Sequence, residues 1–132
     1  MVRWSYAYAV VCLMLAALSA MASTPGFPFD RELILEAAPM PGSKRVPILE
    51  IDADGAASID LWCVSVRGQA NVGADTISIM PSSAQPGSCG PDRLSRDENL
   101  LAALAQVTNW RRRGDVIELI GTTTLRFRVM TN

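Results

Sequence analysis

Between Thr123 and Met130 apolar and polar side chains alternate, with Leu125, Phe127 and Val129 on one side and Arg126 and Arg128 on the other. A period of two is what a strand shows when one face of its sheet is dry and the other wet. The same alternation sets Ile77 and Ile79 against Thr76 and Ser78 over Asp75 to Met80. It also runs through Ala57 to Val66, where Ile59, Leu61, Cys63 and Ser65 share a face. Val46 to Ile51 predicts a further strand, and Asp52-Ala53-Asp54-Gly55 is a turn string that makes the two a hairpin. Gly68 to Ala74 is expected to turn, and Pro81 to Pro91, rich in Ser, Pro and Gly, to loop. Asn109 to Arg113, Val116 to Ile120 and Thr123 to Met130 then follow as three closely connected strands, with turns at Gly114-Asp115 and Gly121.

One segment has helical spacing instead. Leu100, Leu101, Leu104 and Val107 form a single apolar stripe, so the predicted helix lies against a sheet. Ser95-Arg96-Asp97-Glu98 fits a capping box, in which the Ser hydroxyl and the Glu carboxylate reciprocally satisfy two orphan N–H groups, and is expected to start it. Ahead of the strands, residues 23–45 hold Pro25, Pro28, Pro39 and Pro41 and are expected to form a leader or arm, with a turn of helix over Glu32 to Ala37.

The first 22 residues change the picture. Arg3 precedes an uncharged apolar run through Leu18, and Ala20-Met21-Ala22 offers the small side chains a signal peptidase accepts. Cleavage is expected after Ala22, leaving a periplasmic or secreted domain over residues 46–132. An uncleaved anchor is the rival reading, because no charge stands between Arg3 and Asp30. Otherwise the membrane is involved only through this segment before cleavage. Cys12 leaves with the leader. Cys63 and Cys89 are then an even pair in an oxidising space, where a disulfide closing a loop of about 27 residues stabilises by about 3.5 kcal/mol. A redox pair would be closer in sequence, and a metal site would need two more ligands.

Charge and chemistry narrow the function classes. Twelve basic and 13 acidic side chains give a net charge of −1, so nothing global draws the chain to nucleic acid or anionic lipid. No histidine is present, which removes Ser-His-Asp triads, Cys-His pairs and imidazole metal sites together. Ser82, Ser83 and Ser88 have no base to activate them, while Asp52, Asp54 and Asp60 would need a strongly raised pKa for acid–base work. No enzyme, cofactor or metal is therefore expected. The Asp-x-Asp-Gly string also has the beginnings of a calcium loop, but its twelfth position falls on Cys63, and a turn is the better reading. Arg111, Arg113, Arg126 and Arg128 near Trp110 form the one basic patch, read either as a binding surface or as a solvated sheet face near an edge.

From Ile59 onward the chain resembles the META or heat-shock HslJ-type domains, a family of exported bacterial proteins and lipoproteins. Cys63 and Gly68 match the family's first cysteine and following glycine, Thr76 to Met80 its strand, and Cys89 its second cysteine. Glu98 to Leu104, Trp110, Gly114-Asp115 and Leu119 match the acidic residue, Leu-rich helix and terminal hairpin. Val64 stands where the family has asparagine, Ala70 where it has an aromatic, and Gln85-Pro86-Gly87-Ser88 replaces its Thr-x-Met-Ala. The resemblance implies an α+β fold, an antiparallel sheet curled into a partial barrel packed on one main helix, with no catalytic residues and an outer-membrane or stress-related role. A half-open barrel lined by Ile59, Leu61, Ile77, Ile79, Leu104, Leu125 and Phe127 would supply an apolar cleft for a ligand, a lipid or an envelope protein. A monomer acting without nucleic acid is expected. The alternative is a small secreted protease inhibitor that presents the disulfide-tied loop from Ser82 to Gly90.

Overall fold

The computed structural model describes residues 26–83 and 89–131. The expected leader, its cleavage point and Cys12 lie outside them. Eight strands and one helix are found among the described residues: β1 (Leu33–Leu35), β2 (Ile48–Ile51), β3 (Ala56–Asp60), β4 (Ser65–Val72), β5 (Ile77–Pro81), α1 (Pro91–Ala105), β6 (Asn109–Arg113), β7 (Val116–Ile120) and β8 (Thr124–Val129). The strands make one antiparallel sheet in the order β5-β4-β3-β2-β1-β8-β7-β6. Its two edges curl toward each other and meet at a bridge between Thr76 and Asn109. There Ile77 N–H donates to Thr108 O and Trp110 N–H to Asp75 O, each at 3.0 Å. The result is a nearly closed barrel, with α1 in the connection between the two edge strands and packed on β5. This is the expected α+β partial barrel on one helix.

Alternation decides what the barrel encloses. Leu49 and Ile51 from β2, Ile117 and Leu119 from β7, and Phe127 and Val129 from β8 point inward and are buried. Leu100 and Leu104 of α1 join the same cluster. No helix among the described residues is long and apolar enough to cross a membrane.

Four local expectations need correction. The turn of helix expected over Glu32 to Ala37 is instead strand β1, paired with β2 on one side and β8 on the other. Leu33 and Leu35 are buried while Ile34 is half-exposed, a strand pattern too short to stand out in the sequence. The single strand expected from Ala57 to Val66 is broken after Asp60 by a turn in which Leu61 N–H donates to Val64 O at 2.9 Å. The turn expected from Gly68 is the middle of β4, where Gly68 sits opposite both Ala57 and Pro81. A Cβ there would stand 2.6 Å from Met80 O, so this glycine permits close strand packing rather than a change of direction. Lastly, α1 begins one turn earlier than the capping box predicts: Gly90 is its N-cap and Pro91 occupies N1, where its missing N–H is no loss.

Candidate functional site

Asp97, inside the string expected to cap the helix, serves a different element. It lies on the inner side of α1 at 1 % exposure, facing the turn between β3 and β4. Its Oδ1 accepts from Trp62 N–H at 2.9 Å, and its Oδ2 accepts from Cys63 N–H at 3.0 Å and Val64 N–H at 3.1 Å. A sharp turn leaves successive N–H groups converging on one point, and a carboxylate is the natural acceptor for such a nest. The Cys63–Cys89 disulfide fastens the same turn to the residue just before the N-cap, with Cα atoms 5.9 Å apart. Turn and helix are thus held together twice, and Trp62 sits between them.

That tryptophan forms part of a surface groove of about 380 Å³ beside α1. Leu35, Trp62 and Leu100, each below a tenth exposed, contribute its apolar base, with Ala103 and Leu125 alongside. Arg96, Asn99 and Thr123 complete it as exposed residues. The Arg96 guanidinium carbon lies 5.9 Å from the centroid of the Trp62 ring, a cation–π distance. Trp62 Nε1 is buried and has no hydrogen-bond partner among the described residues. Sequence reasoning missed this place because its residues come from β1, the β3–β4 turn, α1 and the start of β8. The one available signal was a tryptophan beside Cys63.

The seven residues expected to line an open cleft are placed differently. Ile59, Leu61, Ile77, Ile79, Leu104 and Phe127 are each at most 2 % exposed and belong to the packed core, which Leu104 joins from α1. Leu125, half-buried, reaches the groove. Ile77 also borders a depression at the β5–β6 seam.

The four arginines stand on β6 and β8, and three of them are already engaged in ion pairs. Arg111, Glu118 and Arg126 follow one another across three strands. Arg111 donates to Glu118 at 2.5 Å, and Glu36 pairs with Arg126 at 3.4 Å and Arg128 at 3.0 Å. The Arg111 hydrogen bond holds the Glu118 carboxyl below its ordinary range against a smaller opposing effect of burial, and the charges of Arg111, Arg113 and Arg126 add to it. Arg113 has no ion pair among the described residues. Arg112 instead donates to Gly114 O at 2.8 Å and Gly26 O at 3.0 Å. This pulls in the segment whose Phe27 packs edge-on against Trp110, ring centroids 5.3 Å apart.

The Asp52–Gly55 string is a turn that consumes its own carboxylate. Asp52 Oδ1 accepts from Asp54 N–H and Ala56 N–H, both at 2.9 Å, and Gly55 adopts φ +91°, open to glycine at no steric cost. Asp60 accepts from Ser65 Oγ at 2.6 Å. No group of three or more metal-ligating side chains is found among the described residues. Ser88 and the middle of the Ser82–Gly90 loop, residues 84–88, lie outside them.

The family model described as META domain matches residues 31–131. The match begins just ahead of β1 and takes in every strand of the sheet. No curated protein and no solved structure matches the chain.

Proposed function

Because the chain belongs to the META domain family, we propose that it is a non-enzymatic, exported module of the bacterial envelope that binds an apolar ligand or lipid in an outer-membrane or stress-related role. The observation that carries this reading is the groove beside α1. An apolar depression of about 380 Å³ is of the size small-molecule sites have, and its base is made of large side chains held by the neighbouring clamp. The barrel interior is filled by its own residues, which leaves the rim as the place for a ligand. The absence of histidine supports a binding role, since nucleophilic catalysis would lack its usual base. Export is supported by the apolar leader and the small residues at Ala20 and Ala22.

The test is native mass spectrometry on protein recovered from the periplasmic fraction, before and after extraction with organic solvent. The expected result is a chain beginning at Ser23 that carries a removable apolar adduct. Recovery from the cytoplasm alone would overturn the export reading. A chain without adduct that also fails to take up N-phenylnaphthylamine would overturn the ligand reading.

A further inference from the structure

We propose that the groove takes a long-chain carboxylate, a single-chain fatty acid whose alkyl chain lies on Leu35, Leu100, Ala103 and Leu125 while its head meets Arg96. This rests on the apolar-ligand reading above and names the ligand class for the same site.

Charge is the first argument. Of the eight side chains around the groove only Arg96 is ionised, so an otherwise apolar surface carries one positive charge and no negative one. Among the described residues Arg96 makes no ion pair. Its guanidinium rests instead against the Trp62 ring, leaving N–H donors available to an incoming anion. Asn99 and Thr123 add neutral polar groups at the exposed side.

The indole is the second argument. Trp62 is 8 % exposed, yet its Nε1 is buried without an acceptor among the described residues. An unmade hydrogen bond at a buried donor costs about 1–3 kcal/mol, and native proteins retain few of them. The Trp62 backbone is fixed by Asp97 and by the adjoining disulfide, so the ring is held beside the groove without relying on that donor. The Arg96 guanidinium lies over the indole face, so an anion held there by Arg96 also sits beside Trp62.

One cation suits one singly charged head, and a neutral alcohol would leave Arg96 unanswered.

The experiment is isothermal titration of the delipidated mature protein at neutral pH, comparing laurate with dodecanol below micelle-forming concentrations. Laurate is expected to bind about tenfold more tightly, the scale of a hydrogen-bonded charge. Arg96→Gln is expected to bring laurate down to the level of dodecanol and to leave dodecanol unchanged. Ala103→Phe, which fills the groove, is expected to weaken both; Asn99→Trp, on the exposed side, serves the same purpose should the first variant fail to fold. Equal binding of the two ligands, or indifference to Arg96→Gln, overturns the carboxylate assignment and leaves the apolar-ligand reading standing. Binding of both ligands unaffected by either groove-filling variant overturns the site. Binding of neither ligand overturns the inference together with the reading beneath it.

Discussion

Asp97 does with one side chain what a sheet ladder does for other strands, because it supplies acceptors to the backbone N–H groups of Trp62, Cys63 and Val64 where the chain turns out of β3. Asp97→Asn keeps the shape but turns one acceptor oxygen into a donor facing other donors. It is expected to cost about 3 kcal/mol in urea unfolding, with the folded spectrum retained; a loss below the error of that measurement would show that the turn holds without it. Glu118 is a milder case. A depressed native pKa contributes stability that is fully present above the unfolded value, near 4.5, and is lost as pH falls through the lower folded value. Arg111→Gln is therefore expected to raise the Glu118 midpoint in a carboxyl NMR titration, and an unmoved midpoint would assign the shift elsewhere. Neither role was legible in the sequence as such. Asp97 stands out only within Ser95-Arg96-Asp97-Glu98, where local spacing suggests a cap. The partner that decides its role is 35 residues away in sequence.

Elements with full alternation were legible, and those shaped by close approach were not. β5, β7 and β8 follow period two because each has one face on the core and one outside. β4 carries Gly68, Gln69 and Asn71, residues suited to turns, and is a strand because β3 and β5 pair with it on both sides. β1 was hidden by its brevity and by the prolines around it, though it is paired on both sides within the sheet. Leu33, fully buried between β2 and β8, tests that placement. Leu33→Ala is expected to destabilise the fold by about 3 kcal/mol on thermal or urea melting, as for other core leucines. A change under about 0.5 kcal/mol, the usual scale of surface substitutions, would mark β1 as a detachable arm.

At the scale of the molecule, the barrel was legible through the resemblance to META domains, with which the alternating strands and one amphipathic helix agree, and the cysteine pairing because only Cys63 and Cys89 stand outside the apolar leader. The groove was not, because it is built from four separated segments. Replacing Cys63 and Cys89 together by Ser is expected to cost about 3.5 kcal/mol and to loosen the start of α1 in hydrogen exchange, with the rest of the barrel protected; uniform loss of protection would instead make the bridge a support of the whole domain. The strand order has a consequence for how the chain assembles. Strands β2 to β5 pair with sequence neighbours, as do β6 to β8, so each group is able to form as a meander soon after it is synthesised. β1 pairs with a strand of each group, and the contact between Arg128 and Glu36 spans 92 residues. One of its edges can find β2 early, but the other stays unpaired until β8 has left the ribosome. A nascent chain cut short before β8 would thus expose a free strand edge, the feature most prone to recruit a second chain. The contact that closes the barrel is thus the long-range one, the kind that topology makes slow, and it is also the one that hides the exposed edge.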